Sequence, residues 1–265
     1  MLKLVDRAIR LMKRKGVQYL IKYVLALFDH RTGLVSFFLV PYIAYKLKRM
    51  GLRETLNLLF SDSLIGMLFR PMQVRREIEE FLNILKPIKP RHILEIGTAH
   101  GGTLLLWTRV VSDDALIVSI DLPGGSFGGG YPWLRSIAYR AFAKGRQRIV
   151  LIRGDSHDYQ TLEKINKIFG NSKIDFLFID GDHSYMGVKK DFEMYSLLVR
   201  EGGIIVFHDI VPGLRELVGG VPDFWKELKE RLARSDSKVI EIVRDWNQGG
   251  YGIGVLFKCS SKKVS

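Results

Sequence analysis

Residues 174–185 read IDFLFIDGDHSY. Five of the first six are apolar, and Asp180, Asp182 and His183 then crowd into four positions. An apolar run without alternation suits a strand buried on both faces, the environment of a parallel sheet. Four more runs share the pattern: HILEIG (92–97), LIVSID (116–121), IVLIRGD (149–155) and GIIVFHD (203–209). Helix candidates lie between them, at about 102–111, 134–144, 158–169 and 186–200. Strands alternating with helices predict right-handed βαβ units and a doubly wound α/β sheet.

The tail leaves that alternation. After a helix at about 222–233, KVIEIVRD (238–245) and IGVLFK (253–258) flank the seven-residue loop WNQGGYG. A hairpin there turns the last strand antiparallel to its neighbours. The expectation is a Rossmann-like sheet, mostly parallel, with an antiparallel last strand. Upstream, Val74, Ile78, Phe81, Leu82 and Leu85 mark one helix face that must stop near KPIKP at 86–90.

The first 72 residues read as an N-terminal helical extension to a domain at 73–265. Residues 1–53 hold 12 Lys/Arg against Asp6 and Asp29, a net +10 of the chain's +13. Leu4, Ala8, Leu11 and Met12 recur at helical spacing beside a basic stripe of Lys3, Arg7, Arg10 and Arg14. VQYLIKYVLALF (17–28) is more apolar, and GLVSFFLVPYIAY (33–45) has no charge but contains Pro41. Its 13 residues fall short of the roughly 20 that a spanning helix needs. Three roles fit: a peripheral anchor on an anionic membrane, a helical cap, or a homo-oligomer contact. Nucleic-acid binding is disfavoured, because the basic residues accompany no nucleic-acid motif. One cysteine, Cys259, rules out a disulfide framework within the chain. With no apolar signal segment at the start, a cytoplasmic protein is expected.

In an open parallel sheet, ligands bind beyond the carboxyl ends of the strands. The first strand carries Glu95 and turns through Gly97-Thr98-Ala99-His100-Gly101-Gly102 into a helix. The second ends in Asp121, 24 residues past Gly97, where an acid can accept hydrogen bonds from both hydroxyls of a ribose. The third ends in Asp155 and Ser156, suited to a purine amine, with His157 beyond. The fourth ends in Asp180, Asp182 and His183, and the fifth in His208 and Asp209. Two ionised carboxylates about 4 Å apart repel by roughly 4 kcal/mol at an effective dielectric of 20. Such a cluster calls for a cation, a shared proton or basic neighbours.

The spacing E-x-G-x-x-x-G at 95–101 lacks the second glycine of the dinucleotide fingerprint G-x-G-x-x-G. With Asp121 and the terminal hairpin, residues 73–258 resemble the class I S-adenosylmethionine-dependent methyltransferases. IDGDHSYMGVKKDF (179–192), followed by LLVREGGIIVFHDI (197–210), resembles the small-molecule O-methyltransferase branch that includes macrocin O-methyltransferase and cephalosporin hydroxylase-like proteins. Catechol and caffeoyl-CoA O-methyltransferases are more distant relatives. The resemblance implies S-adenosylmethionine held by Glu95, Gly97, Thr98, Gly101, Asp121, Asp155, Ser156 and Asp180. It implies a divalent cation, magnesium or manganese, at Asp180, His208 and Asp209. His208 departs from the oxygen ligand that relatives carry, and imidazole favours softer ions than magnesium. Asp182 or His183 would take the proton of a small-molecule or glycan hydroxyl.

Other readings stay open at this point. Asp180 and Asp182 can serve as helix caps, and the histidines can bond only backbone. Tyr131, Trp133 and Phe127 suit a lid or a hydrophobic plug, and Trp246 and Tyr251 face the same choice. On the same sheet, an NAD-type oxidoreductase and a membrane-associated binding or scaffold protein are the rival functions.

Overall fold

The computed structural model describes residues 10, 12–124, 130–233 and 237–259. Much of the first basic stripe, with Lys3, Leu4, Arg7, Ala8 and Leu11, lies outside them, as does Phe127. Residues 12–15 are helical, and six α-helices follow before the first strand: α1 Val17–Thr32, α2 Leu34–Phe38, α3 Val40–Lys46, α4 Leu52–Leu59, α5 Leu64–Phe69 and α6 Arg75–Leu85, with a 3-10 turn at Leu47–Arg49. Pro41 falls in the first turn of α3, where its missing N–H costs nothing. Then follow β1 His92–Ile96, α7 Gly102–Val110, β2 Leu116–Asp121, α8 Arg135–Arg140, β3 Arg148–Arg153, α9 Tyr159–Phe169, β4 Ile174–Ile179, α10 Tyr185–Tyr195 and β5 Val199–His208. The chain ends with α11 Arg215–Val218, α12 Val221–Leu232, β6 Lys238–Ile242 and β7 Ile253–Phe257.

The seven strands form one sheet in the order β3-β2-β1-β4-β5-β7-β6. Strands β1 to β5 pair in parallel, and β7 runs antiparallel to both β5 and β6. The expected hairpin is therefore present. Two expected boundaries move. The helix placed at 186–200 ends at Tyr195, and β5 begins at Val199. The helix placed at 134–144 stops at Arg140, because Phe142 turns inward against Phe69 and Tyr139.

Each sheet face carries its own core. On one, Leu94, Val118, Leu177, Ile205 and Phe207 pack against Ile165, Val188, Phe224 and Trp225 from α9, α10 and α12. On the other, Ile93, Ile117, Phe176, Phe178 and Val206 meet α6 and α7 through Phe81 and Trp107. Ala26, Ile43, Leu56 and Phe69 belong to this second core, so the N-terminal helices share it with the sheet. Burying one large apolar side chain contributes about 1.5–3 kcal/mol, which firmly seats these helices.

Candidate active site

Beyond the carboxyl ends of β1 to β5 lies a cavity of about 400 Å³. Ten of the twelve residues singled out in the sequence line it: Gly97, Thr98, Asp121, Asp155, Ser156, Asp180, Asp182, His183, His208 and Asp209. Glu95 and Gly101 do not, and each has a physical reason.

Glu95 is fully buried in β1. One of its carboxylate oxygens accepts from Thr103 Oγ1 (2.6 Å) and Trp107 Nε1 (2.7 Å) of α7. The other accepts from Ser119 Oγ (2.5 Å), its register partner on β2. Ser119 in turn bonds Thr98 Oγ1 at 2.6 Å. Glu95 thus lies beneath the cavity, with Thr98 above it. Burial pushes its carboxyl up to about 7, and the three hydrogen bonds only partly oppose that rise. Gly101 has φ +75°, and a Cβ there would sit 2.6 Å from the Tyr139 ring. Its smallness admits Tyr139, rather than a ligand. Gly97 lines the cavity, but with φ +98° and a would-be Cβ 1.9 Å from the Asp180 carbonyl oxygen. Only glycine lets the ends of β1 and β4 close together here.

Asp121 ends β2 and is 6% exposed. Its Oδ2 accepts from the Ala99 N–H (2.7 Å) and its Oδ1 from the Gly130 N–H (2.9 Å). Each oxygen keeps a second lone pair for a hydroxyl. Burial raises its carboxyl above the usual range, against the pull of those N–H groups. Asp155 accepts from the His157 N–H at 2.8 Å, and the Ser156 carbonyl is fixed by the Tyr195 hydroxyl at 2.6 Å. His157 lies 3.2 Å from the buried Asp191, whose hydrogen bond raises the imidazole above its ordinary range despite burial.

At the ends of β4 and β5 the acids meet two histidines. His208 Nδ1 stands 3.1 Å from Asp180 Oδ1 and 3.4 Å from Asp209 Oδ2. His183 Nε2 is 3.4 Å from Asp180 Oδ1, and its Nδ1 is 2.7 Å from the Leu217 carbonyl and 3.4 Å from Asp209 Oδ2. Basic neighbours therefore relieve the carboxylate repulsion. Burial pulls the His183 imidazole down, but bonding to Asp180 and the charges of Asp180 and Asp209 carry it up to about 9. Burial works to raise Asp180, yet the His208 charge and the two imidazole contacts hold it well below the carboxylate range. Among the described residues, ligand atoms of Asp180, His183 and Asp209 lie within 4.8 Å of one another, close enough to hold one metal ion. His183, expected as a proton acceptor, thus joins the metal-capable group. His208, expected as a ligand, stands beside it and keeps a buried Nε2 without a hydrogen-bond partner among the described residues. Asp182 sits on the exposed rim and accepts the Ser184 N–H at 2.8 Å. The cap of α10 is Ser184 itself, so capping leaves one Asp182 oxygen for other work.

Ala99, Asp209 and Tyr251 line this cavity at φ +42°, +61° and +64°. Three side-chain-bearing residues in the left-handed region of one cavity is the kind of backbone strain found at functional sites.

Several lining residues gave no sequence signal. Gln73 Nε2 donates to Asp180 Oδ2 at 2.8 Å across 107 positions. His100, by contrast, stands in the turn that the sequence marks after the first strand; it lines the cavity, and its ring stacks on His30 of α1 at 4.1 Å. Of the aromatic candidates, Tyr131 is buried against Tyr139 as a plug, Trp133 is exposed, and Tyr251 reaches the cavity.

The chain is similar to several known proteins. Residues 94–210 match a family model described as a methyltransferase domain. Among solved structures, the fold is similar to an O-methyltransferase from Bacillus cereus in complex with SAH (TM-score 0.53, 22% identity, 78% of this chain and 90% of that one). It is also similar to TomG of Streptomyces achromogenes in complex with SAM (0.50, 18%, 79% and 89%). The methyltransferase MycE, in complex with Mg, SAH and mycinamycin VI, shares it too (0.53, 17%, 82% and 56%). By sequence, 149 residues are 28% identical to the uncharacterized protein y4gI of Sinorhizobium fredii, covering 55% of this chain. An alignment of 57 residues is 40% identical to the uncharacterized protein R132 of Acanthamoeba polyphaga mimivirus, covering 18% of this chain. The chain matches only 16% and 26% of those relatives' lengths.

Proposed function

We propose that this chain methylates a hydroxyl of a small molecule or glycan, a reading supported by the match of residues 94–210 to a methyltransferase-domain model and by the likeness of its fold to an O-methyltransferase in complex with SAH. We place it in the macrocin O-methyltransferase-like branch. One observation carries the reading: Asp121 and the Asp180–Asp209 acid cluster open into the same cavity. One end offers acceptors for a ribose, and the other offers a place to ionise a hydroxyl.

S-adenosylmethionine supplies, when bound, a methyl group already electrophilic on its sulfonium. The protein's task is then to align the acceptor in line and remove its proton. Asp121 would accept the ribose hydroxyls, and Asp155 and Ser156 would meet the adenine. Thr98, held over Glu95, keeps the β1 turn in place beneath them. Asp180, His183 and Asp209 would hold a divalent cation, a donor set with two hard oxygens and one imidazole that suits manganese or magnesium. Such a cation would supply positive charge that favours an ionised acceptor. The orphaned Nε2 of His208 leaves a buried polar atom for a ligand group beside it. Asp182, on the rim and without a cationic partner within ion-pair distance among the described residues, would take the acceptor's proton.

Calorimetric titration with S-adenosylhomocysteine, repeated with NADH and with a chelator, tests this reading. Micromolar binding of the first alone supports it, after which acceptors are screened for methyl incorporation. Binding of NADH instead returns the chain to the oxidoreductases, and binding of neither leaves a scaffold.

A further inference from the structure

The helix α1 is built inside out. Its inward positions are Ala26 and Asp29, small and polar, whereas Ile21, Val24 and Phe28 face solvent at 54%, 54% and 49% exposure. The pattern continues in α2, where Ser36 is buried and Phe38 is 75% exposed. Among the described residues, twelve of the 23 large apolar side chains that remain exposed fall within residues 12–45. A surface helix ordinarily turns such a stripe toward the core, so this one is made to be covered by something else.

Charge identifies what covers it. Between residues 10 and 53 stand ten Lys/Arg and a single acid, Asp29, which is buried against Arg135. The exposed surface of this stretch therefore carries no carboxylate. Lys46 and Arg49 lie over the rings of Tyr42 and Tyr45, aromatic groups that are 41% and 65% exposed. Apolar stripe, interfacial tyrosines and basic rim together are complementary to an anionic lipid surface. A second copy of the chain would bring the same basic rim and repel it. Among the described residues no helix is long and apolar enough to cross a membrane, so the contact is with the surface. We propose that the outward face of α1, α2 and α3 docks on an anionic lipid bilayer. On its inner side α1 carries His30, stacked on the cavity-lining His100, so one helix joins the lipid-facing surface to the cavity wall. The proposal stands independently of the methyl-transfer chemistry.

The full chain is mixed with phosphatidylcholine vesicles with and without phosphatidylglycerol and sedimented, while its solution mass is measured by light scattering. Retention on the phosphatidylglycerol vesicles is expected to exceed that on phosphatidylcholine alone by about tenfold or more, and to fall with added salt. Phe28→Glu with Phe38→Glu should abolish retention without changing the thermal melt, since both positions are exposed. Arg14→Glu with Lys48→Glu should abolish the preference for the anionic lipid. A folded protein that ignores phosphatidylglycerol vesicles overturns the proposal. So does a dimer that Phe28→Glu with Phe38→Glu converts to a monomer, which would assign the face to a second copy.

Discussion

Arg135 Nε lies 3.2 Å from Asp29 Oδ2, with both side chains buried, and this ion pair fastens α1 to α8. Its guanidinium also reaches His30 Nδ1 (2.9 Å) and the Leu68 carbonyl, while Asp29 Oδ1 accepts from the Ser36 N–H (2.7 Å). Removing one partner leaves the other as an uncompensated buried charge, which costs about 3–5 kcal/mol. Arg135→Met and Asp29→Asn should each lower stability by that amount in urea unfolding. The double variant should lose less than the sum of the two. Strict additivity would show that the pair is not coupled.

The stacked His30 and His100 make the same joint sensitive to acid. Burial first, then the Arg135 charge, lowers His30 to about 4; burial, then His30 and Arg135, lowers His100 to about 3. Their unfolded values lie near 6.5, so below that pH the unfolded chain binds more protons than the native one. The pair's contribution to stability is full above pH 6.5 and is lost as pH falls through about 4. Replacing both by Gln should flatten the decline in melting temperature between pH 6.5 and 4. An unchanged decline would place the acid sensitivity elsewhere.

Glu95 should act in the opposite direction. Its carboxyl is raised from 4.5 to about 7, chiefly by burial, so the native state holds the proton that the unfolded chain releases. Stability therefore falls as pH rises from 4.5 to 7, by about 3 kcal/mol in all. Glu95→Gln keeps an acceptor for Thr103 and Trp107 and can donate to Ser119. The variant should be at least as stable as the parent at pH 8 and lack this slope. A variant that is less stable at every pH would show that the ionised form is the one the fold requires.

Which parts of this molecule are legible in its sequence follows from the range of the interactions. Strands β1, β2, β4 and β5 are apolar runs largely buried on both faces, and the edge strand β3 keeps the same apolar run although half-buried, so ten consecutive residues suffice to recognise each. Asp121 and Asp180 are legible because a strand-end acid in a parallel sheet has one predictable location. Glu95 misleads, because its satisfaction comes from Thr103, Trp107 and Ser119, brought in only when α7 docks and β2 pairs. Gln73 and His30 reach the site across 107 and 70 positions, and no local pattern encodes such contacts. Residues 17–28 are legible as an apolar segment of a helical extension, but which side of α1 faces inward is decided by Asp29 finding Arg135.

Asp121→Ala probes the cofactor end of the cavity. Loss of a charged acceptor for two ribose hydroxyls should weaken S-adenosylhomocysteine binding by about 1.5–3 kcal/mol. The Ala99 and Gly130 N–H groups also lose their partner, so loosening of both loops is expected in hydrogen exchange. Unchanged affinity with loosened loops would reduce Asp121 to a loop anchor.

Gln73 and Asp180 separate the metal from the cofactor. Asp180→Asn removes a ligand, and chelation removes the ion; each should abolish turnover while leaving S-adenosylhomocysteine affinity within about twofold. Gln73 touches only Asp180 Oδ2 among the cluster's carboxylates, so it acts by orienting that carboxylate. Gln73→Leu should weaken manganese binding by about 10–100-fold, the usual cost of losing an outer partner. High manganese should then restore turnover in the Gln73 variant but not in Asp180→Asn. Restoration in both would move the metal off Asp180, and restoration in neither would give Gln73 a direct contact with the acceptor. Turnover that withstands chelation would leave proton removal to Asp182 without a metal.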